Sequence, residues 1–233
     1  MARRPDPVTI IRAAAFTCLS VLWCSGCLPV SPGQEDFSFD GSDRLHAVQL
    51  ADEAQLVSAL ERIRGWHEST GTGLRLNPPL GVSELEAKLA ELPCQVPDEL
   101  LALWQWRDGE STEVFTWYHR FLSVDEALAH HRELTSRFGW PETWVPFFEF
   151  QEEWYFMECT DIPVPGAPVG FYLLESGPEH ASTNLTRHLE TLATALEEGA
   201  LPWAGEWWGE ENLGRVAEIH RKLNPRGRLP YVQ

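Results

Sequence analysis

The sequence predicts an α+β domain in which an antiparallel β-sheet meander packs against helices, with an extra N-terminal helix and a C-terminal helical tail. Two observations support this fold class. Residues with helical periodicity occupy the first and last parts of the chain, whereas the middle contains short apolar runs separated by turn residues. Helices, then a run of strands, then helices is the order typical of an α+β domain.

The first thirty residues have the composition of a targeting segment. Arg3, Arg4 and Arg12 supply positive charge, and residues 13–23 form an uncharged, mostly apolar stretch. Such a stretch suits a signal peptide and is shorter than the roughly 20 residues that span a bilayer. We therefore expect residues 1–26 to direct secretion.

Small residues precede Cys27 in Ser25-Gly26-Cys27, and this segment resembles the lipobox of bacterial lipoproteins. The resemblance implies cleavage before Cys27, acylation of its thiol and attachment to the cell envelope through the N-terminal lipid. Cys24 stands where Leu or Val is usual, so an ordinary signal peptide and an uncleaved anchor are the alternatives. Leu28, rather than Asp, follows the cysteine, which indicates the outer membrane if the source is Gram-negative.

Residues 27–42 follow as a predicted tether, because they are rich in Pro, Gly, Ser and acidic residues and have no periodicity. From residue 43 to 67, apolar side chains fall on one side of a helical wheel and predict a single helix. The Ser-Thr-Gly-Thr-Gly run at 69–73 ends it.

Two shorter helices are predicted next. Ser83 and Glu86 have the spacing of a capping box, which places the start of one helix at Ser83. Pro97 is expected at the first position of the other helix, which stops at Asp108-Gly109.

Strand-like residues follow at 113–122, a stretch rich in β-branched and aromatic side chains. A second capping box, Ser123 with Glu126, predicts the next helix. Turn signals, including Pro163 and Gly166, then separate three apolar runs. The remaining predicted elements are strands near 144–150, 153–159 and 168–175 and helices at 183–198 and 212–223.

Acidic residues dominate the charge of the chain. It has 18 Lys and Arg against 35 Asp and Glu, for a formal net charge of -17. Residues 1–26 hold three Arg and one Asp, so their removal leaves the mature chain near -19. Such a field repels nucleic acid and attracts basic molecules. We therefore exclude nucleic-acid binding and expect a basic protein partner, with membrane contact through the N-terminal lipid.

Cys94 and Cys159 are the cysteines that remain beyond the lipobox. In an oxidising compartment they can form a disulfide, and as buried thiols they can serve as small apolar side chains. Cys94 and Cys159 do not have CxxC spacing, and His130 and His131 are adjacent on a predicted helix, where neighbours point about 100° apart. We therefore predict no metal site and no cofactor.

A series of motifs follows in order from Asn77 to Gly199. They are a Pro-Pro pair with a capped helix (77–92), Leu-Pro-x-x-x-Pro-Asp-Glu-Leu-Leu-x-Leu-Trp (92–104), Asp108-Gly109, Phe-Leu-Ser-Val-Asp-Glu-Ala (121–127), Trp-Val-Pro-Phe-Phe (144–148), Pro-Val-Gly-Phe-Tyr (168–172) and the helix at 182–199. This order resembles the SUKH superfamily, in particular its Smi/Knr cell-wall-assembly-regulator type. The family usually has Asn-Gly at Asp108-Gly109, a change that the turn tolerates.

The resemblance implies a binding module without catalytic residues. Bacterial members of the family look like immunity proteins that neutralise toxins, and fungal relatives act as scaffolds in cell-wall regulation. The predicted organisation is a signal peptide (1–26), an acylated cysteine with its tether (27–42), an N-terminal helix (43–70), a Smi/Knr-like domain (71–200) and a Trp-rich C-terminal extension (201–233).

An enzyme is not expected. His119 and Asp125 suit a catalytic pair only if a nucleophile accompanies them, and the chain has no G-x-S-x-G elbow and no cysteine in a papain-like context.

Two groups of side chains are candidates for binding a partner. Glu152 and Glu153 are adjacent carboxylates, which are commonly solvated surface groups but can also face a basic partner. Trp203, Trp207 and Trp208 lie close together beside glycines, either as a tail packed on the domain or as an exposed aromatic patch.

Two functions are therefore compared. The first is a lipid-anchored immunity-type protein whose acidic surface docks a basic toxin. The second is a structural lipoprotein of the cell envelope, whose Trp-rich tail touches wall polymer or another envelope protein.

Overall fold

A computed structural model of the protein describes residues 37–116, 118–205 and 208–230. The predicted signal peptide and Cys27 lie outside the described residues. None of the described helices is both long and apolar enough to cross a membrane. The described elements are α1 (Gly41–Leu50), α2 (Glu53–Thr70), α3 (Val82–Leu89), α4 (Asp98–Trp106), β1 (Arg120–Phe121), α5 (Val124–Phe138), β2 (Trp144–Phe150), β3 (Glu153–Glu158), β4 (Val169–Leu173), β5 (Gly177–Ser182), α6 (Leu185–Glu197) and α7 (Leu213–Leu223).

The strands form one sheet in the order β1-β2-β3-β4-β5, and every neighbouring pair is antiparallel. This meander, with helices before and after it, confirms the predicted α+β fold class. Strand β5 was not predicted from the sequence, because Gly-Pro-Glu-His-Ala-Ser contains no apolar run. It pairs with β4, whose own apolar pattern was recognised.

The single helix predicted at 43–67 is wrong, because the structure has two helices there. Asp40 accepts a hydrogen bond from the Asp43 amide at 2.8 Å and caps α1. Asp52 accepts one from the Gln55 amide at 3.0 Å and caps α2. An aspartate that binds the backbone in this way starts a new helix. Leu45, one of the apolar residues on the predicted side of that helix, is 58% exposed.

The described end of the predicted tether packs on the sheet. Phe39 is 3% exposed and lies against Phe156, with ring centroids 6.1 Å apart. Phe37 meets Trp144 edge to face at 5.6 Å. Residues 37–40 are therefore part of the folded domain.

The helix starts differ from the sequence predictions in two places. Ser83 does not cap α3, because the carbonyl of Gly81 already accepts a hydrogen bond from the Leu85 amide at 2.9 Å and the helix begins one residue before the serine. Pro97 occupies the N-cap of α4 rather than its first helical position. The capping box of α5 is confirmed, with the Ser123 amide donating to Glu126 at 2.9 Å.

Alternate side chains of β3 enter two apolar clusters. Tyr155 and Met157 point into the main core, which is shared with α2, α4 and α6. Trp154 and Phe156 point to the other face, where they join an aromatic cluster with Trp140. Because successive side chains of a strand point to opposite faces, this sheet is covered on both sides.

The turn after α4 requires its glycine. Gly109 has φ of 77°, and a Cβ atom there would lie 2.3 Å from the Ser123 backbone nitrogen. The neighbouring Asp108 carboxylate accepts a hydrogen bond from the Val124 amide at 2.8 Å. The Asp-Gly pair therefore fastens the end of α4 to the start of α5.

The C-terminal extension is locked to the domain by buried polar contacts. Asn224, with no exposed surface, accepts a hydrogen bond from the Thr183 amide at 2.9 Å and donates one to the Thr191 hydroxyl at 3.0 Å. His220 Nε2 lies 2.8 Å from the carbonyl oxygen of Ala181. The described residues of the extension therefore belong to the folded domain.

His67 on α2 supports the loop that leads to β1. It is 2% exposed, its Nε2 lies 3.1 Å from the Phe115 carbonyl oxygen, and its Nδ1 lies 2.8 Å from the Thr72 hydroxyl. A carbonyl can only accept, so the neutral ring donates from Nε2 and accepts the Thr72 hydrogen at Nδ1. Burial lowers the pKa of His67 to about 4.

We expect acid to destabilise the domain through this ring. The pKa of folded His67 is about 4 and its ordinary value is 6.5, so the unfolded chain binds the proton more tightly between these values. The stabilisation is therefore complete above pH 6.5 and is lost as the pH falls toward 4. From pH 7 to pH 4, urea denaturation should show wild type losing about 3 kcal/mol more than His67→Gln. Equal losses would contradict this role for His67.

Candidate functional site

A groove of about 540 Å³ lies between α3, the loop to α4 and the segment after β3. Three exposed carboxylates line it, Glu86 on α3, Asp98 at the start of α4 and Asp161 after β3. No Lys or Arg lines it within the described part of the chain. We call this surface the acidic groove.

The acidic groove has an apolar floor between its carboxylates. Leu89, Leu92 and Leu101 line it from α3, the connecting loop and α4. Ile162, which lies between lining residues in the sequence, is 68% exposed. Apolar surface flanked by charges of one sign is typical of a protein-binding site, in which the apolar part gives affinity and the charges orient the partner.

Its two sides are joined covalently and by backbone pairing. The structure contains a disulfide between Cys94 and Cys159, whose Cα atoms are 5.6 Å apart. Beside it, the Gln95 amide donates to the Thr160 carbonyl at 2.8 Å and the Thr160 amide donates back at 3.0 Å. The two cysteines are therefore present as a disulfide in the structure, not as two buried thiols. The disulfide and these hydrogen bonds therefore connect the two sides of the groove.

Among the described residues, the groove carboxylates form no ion pair. Within residues 37–116, 118–205 and 208–230, no Lys, Arg or His nitrogen lies within 4.0 Å of Glu86, Asp98 or Asp161 in an ion pair. Many other carboxylates are paired, as in the ion pairs Arg44–Glu158 at 2.8 Å and Lys88–Asp125 at 2.6 Å. The groove thus concentrates negative charge that a basic partner can neutralise.

The two glutamates predicted to bind a partner point to different places. Glu152 is exposed in the turn between β2 and β3. Glu153 is directed inward, with its side chain 17% exposed and its Oε2 atom 3.3 Å from His119 Nε2. The structure therefore does not bring them together as one docking surface, and neither lines the acidic groove.

The described tryptophans of the extension pack on the domain. Trp208 stacks on Trp66 of α2, with ring centroids 5.8 Å apart and an interplanar angle of 3°. Trp203 meets Trp208 edge to face at 5.5 Å. Both side chains are half-buried, and Trp207 lies outside the described residues. This geometry matches the packed tail rather than an exposed patch for Trp203 and Trp208.

A second cavity, of about 340 Å³, lies between the sheet, α6 and α7. Glu153 and Tyr155 of β3 line it, together with His188 of α6 and His220 of α7. His188 Nδ1 lies 3.0 Å from the hydroxyl of Ser182 at the end of β5. Burial lowers the pKa of His188 to about 3, with the nearby histidines adding to the effect. We call this space the inner cavity.

The structure also separates the residues considered for chemistry. His119 contacts Glu153, whereas Asp125 pairs with Lys88 at 2.6 Å, so His119 and Asp125 do not form a pair. His131 Nε2 lies 2.9 Å from the Glu142 carbonyl oxygen. Among the described residues, no group of three His, Cys, Asp or Glu side chains is arranged to hold a metal ion.

Sequence reasoning missed the acidic groove for a specific reason. From the sequence alone, Asp98 lies next to Pro97 at the start of a predicted helix, and Asp161 lies outside the predicted strands. A disulfide between Cys94 and Cys159 was one of the alternatives, and it brings Asp98 and Asp161 near each other. If Cys94 and Cys159 are assumed to form a disulfide, the sequence itself indicates that the segments carrying Asp98 and Asp161 are neighbours.

One family model matches the chain. It is described as the SMI1 / KNR4 family (SUKH-1), and it covers residues 79–198, just over half of the 233 residues. The match includes α3 to α6, the whole sheet and all three groove carboxylates. No curated protein matches the chain.

Proposed function

Because the chain belongs to the SMI1 / KNR4 family (SUKH-1), we propose that it is a non-catalytic protein-binding module that neutralises a basic toxin. The observation that carries this proposal is the acidic groove within the matched region. Binding to Glu86, Asp98 and Asp161 would steer a basic partner toward the apolar floor. No bond of the partner is broken, and inhibition follows from covering its surface.

We also propose that the protein works outside the cytoplasm, anchored by a lipid on Cys27. The disulfide between Cys94 and Cys159 supports this location, because disulfides persist in oxidising compartments and are rare in the cytosol. A protein in this place meets toxins that act on the cell wall or membrane. The scaffold alternative is not preferred, because Trp203 and Trp208 are packed on the domain and present less aromatic surface to a wall polymer.

The test compares two variants that remove the same charge. The groove variant carries Glu86→Gln, Asp98→Asn and Asp161→Asn. The control variant carries Glu152→Gln, Glu175→Gln and Glu179→Gln, three exposed carboxylates that do not line the groove. Candidate toxins are basic secreted proteins encoded beside the gene. Binding of each full chain to them is measured by calorimetry at two salt concentrations, together with survival of cells exposed to them.

We expect wild type and the control variant to bind stoichiometrically and to protect cells. The groove variant should bind at least about tenfold more weakly, since charges facing a partner act locally as well as through the overall field. Equal weakening in both variants would show that only net charge matters and would remove the groove from the proposal. Failure of wild type to bind the toxin or to protect cells would refute the neutralising function itself.

A further inference from the structure

The inner cavity is completed by residues outside the matched family region. Leu213 and Val216 of α7, with Leu229 beyond it, contribute one wall, whereas Phe150 and Tyr155 contribute another from the sheet. Its volume of about 340 Å³ lies within the range of small-molecule sites, roughly 300–1,000 Å³. The extension therefore adds to the family domain a space that has the size of a ligand site.

Among the described residues, two carboxylates line the inner cavity. The Glu153 carboxylate, 17% exposed, lies inside, and Glu211 accepts a hydrogen bond at 2.8 Å from Tyr118, which is 43% exposed at the rim. No Lys or Arg lines the cavity in the part of the chain that the structure describes. A carboxylate accepts several hydrogen bonds, so Glu153 can receive a ligand donor in addition to the contacts it already makes, which include His119.

Aromatic rings line the same cavity as this carboxylate. The rings of His119 and Tyr155 are 4.8 Å apart, and those of Tyr118 and Phe150 are 5.6 Å apart. The face of an aromatic ring attracts a cation within about 6 Å. Burial lowers the pKa of His188 to about 3, so near neutral pH this ring is uncharged and does not repel a cation.

We propose that the inner cavity binds a small organic amine, with its ammonium group at Glu153 and its apolar body against Phe150, Tyr155 and Val216. The carboxylate favours a cation over an anion, and the aromatic and aliphatic walls favour a hydrocarbon body over an inorganic ion. The inner cavity shares no lining residue with the acidic groove. This inference therefore goes beyond the proposed toxin neutralisation and does not depend on it.

The experiment is calorimetric titration of the full chain near neutral pH with phenethylamine. Phenethyl alcohol and 3-phenylpropionate serve as neutral and anionic ligands of similar shape. Phenethylamine should bind at least about tenfold more tightly than either of them. Glu153→Gln should weaken its binding at least about tenfold, whereas Glu152→Gln, the same change at an exposed side chain outside the cavity, should bind as wild type does.

A second variant, Val216→Phe, fills part of the cavity from α7 and should also weaken binding at least about tenfold. Thermal unfolding of each variant establishes that it is folded. If Glu153→Gln does not fold, the binding measured for Val216→Phe tests the proposal. Absence of phenethylamine binding to wild type, equal binding of the alcohol, or undiminished binding to a folded Glu153→Gln or Val216→Phe would overturn the proposal.

Discussion

Replacement of Glu99 by Ala is expected to lower the free energy of unfolding by about 3–5 kcal/mol, since it leaves buried donors without a partner. Glu99 lies on α4 and is 2% exposed. Its carboxylate accepts hydrogen bonds from the Leu185 amide at 3.2 Å, the Thr186 amide at 3.0 Å and the Thr186 hydroxyl at 2.5 Å. These two amides lie in the first turn of α6, where backbone amides have no acceptor within the helix.

Urea denaturation of wild type, Glu99→Ala and Glu99→Gln measures this effect. The Gln side chain keeps the volume and one carbonyl oxygen, so Glu99→Gln should lose less than half of what Glu99→Ala loses. A loss below about 1 kcal/mol in Glu99→Ala would mean that the hydrogen bonds to α6 contribute little.

A comparison of wild type with Glu99→Gln also tests the protonation of Glu99. Burial raises its pKa to about 7, against the hydrogen bonds from Thr186 and Leu185, which favour the charged form. The folded state then binds the proton more tightly than the unfolded state, whose pKa is near 4.5. The contribution of this carboxyl is complete below pH 4.5 and decreases as the pH rises to 7. The difference in the free energy of unfolding between wild type and Glu99→Gln should therefore be smaller at pH 7.5 than at pH 5.

Glu99 also shows where sequence reasoning succeeds and where it fails. Its place in the first turn of α4 follows from the Pro-Asp-Glu motif, and the capping box at Ser123 follows in the same way, because both depend on neighbours in the sequence. The contact of Glu99 with Thr186 crosses 87 positions and depends on how α4 and α6 pack. Local patterns carry no information on such a pair.

The errors at 43–67 and at β5 have a related origin. Leu45 has the spacing of a buried stripe, yet its helix is separate and its side chain is exposed. Strand β5 contains Pro178 and His180 and forms because β4 offers a free edge. In both cases tertiary contacts override the local pattern. The inner cavity follows the same rule, because α7 shapes it and no local pattern places α7 beside α6.

Removing the disulfide is expected to have an effect as large as that of Glu99→Ala. Cys94 and Cys159 are 65 residues apart, and a loop of that length gives a stabilisation of about 3–5 kcal/mol by restricting the unfolded chain. Cys94→Ala with Cys159→Ala should lower the free energy of unfolding by this amount. It should also weaken binding at the acidic groove, because the disulfide joins the two sides that carry Asp98 and Asp161.

Reduction provides the matched control for this prediction. A thiol reductant should lower the melting temperature of wild type toward that of the double variant, and it should leave the double variant unchanged. In intact cells, Cys94 and Cys159 should react with an alkylating reagent only after reduction, because the bond persists where the compartment is oxidising. Two reactive thiols in untreated cells would contradict both the disulfide and the proposed location outside the cytoplasm. A wild-type melting temperature that does not respond to reductant would contradict the stabilisation alone, so the two conclusions are tested separately.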